Sequence, residues 1–329
     1  MSRRHTITLF LIVFVNFLGG TMVLPTLPLY AQRSFGASPE TISFLLASYF
    51  IAQFLAAPVL GRLSDKYGRL PVLIISQIGT VVSFIILGTA QALPILFAGR
   101  ILDGITGGNI IVAQAYITDV TPREKRAQGL GIIFAGFGLG YMVGPGIGGF
   151  IGALLNEHAP FYVAAAISMV TVLLTWFALD ESLPAEERLA RAQQKQVRVE
   201  AHAVISNHPL MLILLIAFCA QFSIAVMNST ITLFGEAVVF HGYTARDTTL
   251  GVGLLMTGTG VGQFLTQLVL VRPLVEQFGE RRLVVGGAIL RGIGMLSLTV
   301  FVSPWLVGSV SLVLVAVASG IMMPALQAL

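Results

Sequence analysis

The sequence predicts an all-α, polytopic membrane protein with about ten membrane spans. Of its 329 residues, 56% are hydrophobic and only 10% are charged, whereas soluble domains carry about 25% charged residues. The mean hydropathy is +0.88. The apolar residues form runs of roughly 20, the length that an α-helix needs to cross a bilayer. The net charge of +4 comes from cations spread over several loops without a basic tract, so we expect no nucleic-acid partner.

Ten apolar segments account for most of the chain. The first follows Arg3 and Arg4 and could be a signal peptide, but Pro25 and Pro28 stand where cleavage would fall, so we predict an uncleaved first span. The single cysteine, Cys219, excludes an intramolecular disulfide. The predicted spans cover approximately residues 6–30, 40–60, 71–90, 94–118, 127–152, 160–179, 208–235, 248–271, 283–301 and 305–328.

One long polar stretch divides these spans into six and four. We predict an N-terminal six-helix bundle over residues 1–180, a cytoplasmic linker over 181–207 and a partial C-terminal bundle of about four helices over 208–329. Lys and Arg indicate the orientation, because cytoplasmic loops are enriched in both. With the N-terminus inside, fifteen of the nineteen cations fall in cytoplasmic segments and two fall outside, which favours a cytoplasmic N-terminus.

A short charged turn, residues 61–69, separates the second and third spans. Residues 272–280 form a degenerate counterpart, since a shift of 211 residues places Gly279 on Gly68. Both turns follow the second span of their half, and six spans separate the starts of the halves, so the halves share an orientation. Parallel repeats related by an axis along the membrane normal are typical of one class of secondary transporters.

Three motifs carry a family resemblance. The turn from Gly61 to Arg69 has the pattern G-x-L-x-D-x-x-G-R. Span four contains GRILDGITGG at residues 99–108, and span five contains GFGLGYMVGPGIGG at residues 136–149. The span-five motif is similar to the pattern G-x-x-x-G-P-x-x-G-G. With these motifs the chain resembles the major facilitator superfamily and, within it, the drug:proton antiporter branch.

The resemblance implies a bundle of two six-helix repeats. Members of the family usually have twelve spans, so a chain with ten is expected to be a truncated form or a fragment whose second repeat is incomplete. In tetracycline exporters of this branch, acids in spans one and three fall on Asn16 and Ser83 of this chain. These two departures argue against export of a tetracycline–metal complex.

Arg100 and Asp103 in span four form the sharpest candidate pair. Ionisable residues within a span are costly and usually face a cavity or one another, and i, i+3 spacing places both on one helix face. They either neutralise each other or form a proton-coupling site, and the resemblance supports that role for Arg100. Glu236, at the outer end of span seven, is either a solvated interfacial carboxylate or a further proton-coupling group.

The resemblance also implies a conformational switch at the charged turn. Arg69 would pair with Asp119 at the end of span four. Asp65 would meet the N-terminus of an eleventh span, where the helix dipole favours an anion. The predicted members of the switch are Gly61, Asp65, Gly68, Arg69 and Asp119.

The glycine–proline motif of span five either packs helices alone or forms a hinge that also seals the interface between the halves. Its members are Gly140, Gly144, Pro145, Gly148 and Gly149. Further polar residues within the spans either bridge helices or line a central substrate cavity. The candidates for that cavity are Asn16, Gln114, Asn228 and Arg291.

We therefore expect a proton-coupled secondary transporter that exports hydrophobic or cationic small molecules by alternating access, and not an enzyme. No Walker loop is present, so the proton gradient is expected to supply the energy, with no cofactor and no metal. The expected setting is the lipid bilayer of the cell membrane, with the protein as a monomer. The alternatives are a major facilitator-type transporter of a sugar or metabolite, and a truncated membrane protein that does not transport.

Overall fold

The computed structural model describes residues 3–107, 109–122, 126–184, 186, 188, 206–301 and 303–328. Within these residues the backbone is almost entirely helical and contains no strand, which confirms the predicted all-α class. The chain divides into two compact units, Met1–Lys195 and Gln196–Leu329. The division falls within the stretch predicted as a linker, most of which lies outside the described residues.

The helices of the first unit follow the predicted spans. α1 and α2 together cover the first span and are separated by a turn at Pro25, and α5 and α6 together cover the fourth. The helices are α1 (Arg3–Met22), α2 (Thr26–Phe35), α3 (Pro39–Tyr67), α4 (Arg69–Gly88), α5 (Leu93–Gly107), α6 (Asn109–Val120), α7 (Arg126–Leu154) and α8 (Ala159–Ala178).

The second unit contains further long helices and two π-helical segments. One π-helical segment, Gly235–Val239, extends α9, and the other, Val307–Ser311, precedes α13 after a helical turn at Pro304–Leu306. The helices are α9 (His208–Phe234), α10 (Ala245–Val269), α11 (Val271–Phe278), α12 (Glu280–Val300) and α13 (Leu312–Ala328).

Eight helical segments of the described residues are long and apolar enough to cross a membrane. They coincide with eight of the predicted spans, and α9 and α13 cover the two others, so the total of ten remains a prediction. Large apolar side chains such as Phe54 and Phe177 are 78% and 80% exposed, as lipid-facing side chains are expected to be. The eight segments are Ile7–Phe35, Pro39–Tyr67, Arg69–Gly88, Leu93–Val120, Ala135–Leu154, Ala159–Ala178, Ala245–Val269 and Glu280–Val300.

The charged turn is tighter than the sequence predicted. α3 continues to Tyr67, and Gly68 alone separates it from α4. The helix extends to Tyr67 because its last turn, residues 64–67, contains neither glycine nor proline, and Asp65 of this turn pairs with Arg69 across Gly68. Gly68 has φ 106° and ψ 156°, and Gly279, between α11 and α12, has φ 73° and ψ 160°. This shared local geometry supports the predicted repeat.

α7 packs on α1 through its row of glycines. A Cβ atom on Gly148 would overlap the Met22 carbonyl, and one on Gly144 would overlap the Thr21 side chain. The Thr21 hydroxyl donates a hydrogen bond of 2.9 Å to the Gly140 carbonyl. Small residues at such a contact allow two helix backbones to approach closely. The glycine motif therefore faces α1 of its own unit.

We expect Gly148→Ala to lower the free energy of unfolding by about 1–3 kcal/mol, because the added methyl group must push α1 and α7 apart. Gly131→Ala is the matched control, since Gly131 lies on the same helix and a Cβ there meets no atom of the described residues within 4 Å. Thermal unfolding in detergent, followed by far-ultraviolet circular dichroism, measures both variants. Equal unfolding temperatures for the two variants would contradict the packing assignment.

Candidate functional site

Arg69, the first residue of α4, is only 4% exposed and contacts side chains from two other helices. Its Nε donates to Asp119 Oδ2 at 3.0 Å, and its Nη1 donates to Ser64 Oγ at 2.6 Å. Its Nη2 pairs with Asp65 Oδ1 at 2.7 Å. All three guanidinium nitrogens therefore have a partner, as a buried charge requires. We call Arg69 and these three partners the Arg69 cluster.

The Arg69 cluster contains most of the residues predicted as a conformational switch. The expected Arg69–Asp119 pair is present, and 13% of the Asp119 side chain is exposed. Asp65, which was expected to meet a further helix, contacts Arg69 itself and has 49% of its side chain exposed. Gly61 lies within α3, where a Cβ would be 3.9 Å from the Ile111 side chain of α6.

A further carboxylate, Glu181, joins the cluster and was missed from the sequence. Its Oε1 accepts from the backbone N–H of Arg69 at 2.9 Å, and its Oε2 accepts from that of Leu70 at 3.1 Å. N–H groups in the first turn of a helix have no intrahelical partner, and a negative charge is favoured there. The sequence signal is an acidic residue shortly after the end of the apolar α8 at Ala178. The helix that it contacts depends on the tertiary fold.

Arg100 and Asp103 form the predicted ion pair inside the first unit. Arg100 Nη1 donates to Asp103 Oδ2 at 3.0 Å, and the residues are 4% and 5% exposed. The Tyr49 ring of α3 lies against the guanidinium, with 4.4 Å between Cζ and the ring centroid. Among the described residues, no hydrogen-bond partner reaches Arg100 Nε. The pair is therefore buried, stacked on an aromatic ring and incompletely satisfied.

Ser83 of α4 lies beside the Asp103 carboxylate. It is fully buried, and its hydroxyl donates to the Thr80 carbonyl at 2.7 Å. Thr80 and Thr106 share a hydrogen bond of 3.1 Å between their hydroxyls, which joins α4 to α5. A small polar shell therefore surrounds the buried pair on the side of α4.

Asn16, predicted to line a substrate cavity, borders a small cavity between α1, α4 and α6. The volume is about 30 Å³, which suits a water molecule and is far below the several hundred Å³ of a drug site. Gln77, 2% exposed, also lines the cavity, and its Oε1 has no hydrogen-bond partner among the described residues. Gln114 lies half-buried on α6. Asn16 and Gln77 thus contribute polar side chains to the lining of this small cavity.

The remaining candidate residues lie in other parts of the chain. Arg291 is 3% exposed on α12, and Glu236 is half-buried in the π-helical segment that extends α9. The Asn228 side chain lies outside the described part of the chain. Pro145 and Gly149 are buried within α7.

The family model and the relatives that match this chain agree on one family of proteins. The family model of the Major Facilitator Superfamily matches residues 9–251. The chain is 33% identical to the class C tetracycline resistance protein of Escherichia coli, with 100% of this chain and 81% of that protein covered. It is 29% identical over 299 residues to Multidrug resistance protein 2 of Bacillus subtilis, with 88% of this chain and 73% of that protein covered.

Solved structures share the fold. The human organic anion transporter MFSD10 has a TM-score of 0.69 and 22% identity, with 99% of this chain and 84% of that chain covered. The xylose transporter XylE from E. coli, in a partially occluded inward-open conformation, has a TM-score of 0.72 and 18% identity, with 99% and 86% covered. Both likenesses concern the fold.

We expect Asp119→Asn to lower the free energy of unfolding by about 3 kcal/mol, because it removes one partner from a buried charge. Asp65→Asn is the matched comparison at the same guanidinium, and the greater exposure of Asp65 limits its effect to about 1 kcal/mol. Thermal unfolding of the two variants in detergent measures the difference. A larger loss for Asp65→Asn would contradict the assignment of Asp119 as the main partner.

Proposed function

The chain belongs to the Major Facilitator Superfamily, a family of membrane transporters, and on this premise we propose that it exports hydrophobic or cationic small molecules in exchange for protons. It is a multi-pass membrane protein. Relatives named for resistance to tetracycline and to multiple drugs support export as the direction of transport. The observation that carries the proton-coupled part of the proposal is the buried Arg100–Asp103 pair.

Proton coupling follows from what protonation would do to this pair. A proton on Asp103 would neutralise the carboxylate and leave the Arg100 guanidinium with one charged partner fewer. A buried charge that loses its partner is costly, so the conformation that rehydrates or re-pairs Arg100 becomes favoured. The Tyr49 ring can hold the guanidinium meanwhile through a cation–π contact. Asp103 would thus convert a proton into a shift between conformations, as alternating access requires.

The position of the acid supports a broad substrate class. The family resemblance implies that the acids of tetracycline exporters would fall on Asn16 and Ser83 of this chain, whereas the buried carboxylate of the described first unit comes from Asp103 of α5. Because Asp103 is paired with Arg100 inside the first unit, it is not available to chelate a metal ion. We therefore propose drug-like organic molecules, with no metal complex, as substrates.

The proposed setting is the cell membrane with a cytoplasmic N-terminus. The excess of Lys and Arg in the predicted cytoplasmic segments supports this orientation. It would place the Arg69 cluster at the cytoplasmic face, where it would stabilise one conformation until a proton or substrate shifts the balance.

Transport in proteoliposomes tests the proposed function. An imposed proton gradient is expected to drive flux of a fluorescent lipophilic cation, and a protonophore that dissipates the gradient is expected to stop it. If the gradient drives no flux of this cation or of other drug-like compounds, the transporter proposal is wrong in its energy source or in its substrate class.

Asp103→Asn tests the proton-coupling residue. We expect it to reduce gradient-driven flux by about 100-fold, the order seen when a proton-transferring group is lost, while exchange of labelled for unlabelled substrate continues. Asp180→Asn is the matched control, because the Asp180 side chain is exposed and its contact with Tyr116 uses the backbone carbonyl. Normal gradient-driven flux in Asp103→Asn would show that Asp103 is not the proton-coupling residue.

Cysteine labelling tests the orientation. In a Cys219→Ser background, Lys66→Cys is expected to react with a membrane-impermeant maleimide in inverted vesicles but not in intact cells. Arg246→Cys is expected to show the reverse, because both side chains are exposed but are predicted on opposite faces. Labelling of the cysteine at position 66 in intact cells would reverse the proposed topology.

A further inference from the structure

We propose that Glu181 and Arg188, which follow α8 in the chain, form a clamp that positions Arg69. The proposal rests on the proposed transport function for its consequence, because Arg69 matters as a switch only in a protein that changes conformation. The clamp itself follows from contacts within the first unit. It would make the start of the linker part of the machinery that holds the charged turn.

The Glu181 carboxylate accepts hydrogen bonds from three backbone N–H groups. Two belong to the first turn of α4, at Arg69 and Leu70, and the third belongs to Leu183 of its own segment, which donates to Oε1 at 3.0 Å. The bond to Leu183 fixes the carboxylate relative to its own backbone. The bonds to α4 then fix the backbone from which the Arg69 side chain extends.

Arg188 holds the other side of the same turn. Its Nη1 donates to the carbonyl of Tyr67, the last residue of α3, at 2.9 Å. Carbonyl groups at a helix C-terminus lack intrahelical donors, and a cation is favoured there. The clamp therefore places an acid at the start of α4 and a base at the end of α3, and each charge complements the helix end that it contacts.

Gly68 is required both by the backbone conformation of the turn and by the close approach of Glu181 and Arg188. Its φ of 106° lies in a region that favours glycine. In addition, a Cβ on Gly68 would overlap the Glu181 carboxylate and would lie 3.3 Å from Arg188 Nη1. The absence of a side chain at this position is what allows both members of the clamp to reach the backbone.

The equivalent turn in the second unit differs. Gly279 shares the backbone geometry of Gly68, but a Cβ built on Gly279 meets no described atom within 4 Å. The contacts with Glu181 and Arg188 therefore belong to the turn of the first unit. A displacement of Glu181 would be passed through the backbone of Arg69 to its contact with Asp119.

Hydrogen–deuterium exchange of the full chain in detergent tests the contact. In Glu181→Gln, we expect the amides in the first turn of α4 to exchange about tenfold faster, the order expected when a helix cap is lost. Glu186→Gln is the matched control, because Glu186 is an exposed carboxylate in the same segment. Unchanged exchange in Glu181→Gln overturns the clamp, whether or not the proposed transport function holds.

A double-mutant cycle tests whether Glu181 acts through Arg69. Substrate exchange is measured in proteoliposomes for Glu181→Gln, Asp119→Asn and the double variant. If Glu181 positions Arg69 for Asp119, each single change slows maximal exchange with little change in KM, and the double variant is about as slow as Asp119→Asn alone. Effects that multiply independently overturn the positioning role. Absence of exchange in the unmodified protein counts against the proposed function, and the cycle is then run on thermal unfolding.

Discussion

A buried guanidinium at the start of α4 determines how the helix ends at one side of the first unit are arranged. Arg69 is almost completely removed from solvent, so each of its three nitrogens needs a partner. Those partners come from the end of α3 and the end of α6. The helices that supply them are held in one relative position, and Glu181 fixes the backbone that carries the charge.

Arg69 and Arg100, two buried arginines among the described residues of the first unit, differ in a way that separates their roles. Arg69 has partners at all three nitrogens, one of them the partly exposed Asp65. Arg100 has one carboxylate, an aromatic face and a buried Nε that no described residue satisfies. A fully satisfied network holds its members rigidly in place, whereas a buried cation with one carboxylate partner loses its counter-charge when that carboxylate is protonated. Arg69 therefore suits a structural latch, and the Arg100–Asp103 pair suits a group that gains and loses a proton.

Local features were predictable from the sequence, and long-range contacts were not. Apolar run length predicted the helices, i, i+3 spacing predicted the Arg100–Asp103 pair, and a shift of 211 residues related Gly68 to Gly279. The extension of α3 to Tyr67 was missed, because charged residues suggested a loop although they are compatible with a helix. The contacts of Glu181 with α4 and of the span-five glycines with α1 depend on how distant helices pack, which one sequence does not encode in any local pattern.

We propose that Asp103 gains and loses the proton that is exchanged for substrate, and proton release on substrate binding tests this role most directly. Purified protein in weakly buffered detergent solution, mixed with a lipophilic cation, allows released protons to be measured with a pH-indicator dye. We expect proton release on addition of the cation to the unmodified protein, and no release from an Asp103→Asn variant that still binds the cation. Equal release from both proteins, or binding by the unmodified protein without release, would contradict this role.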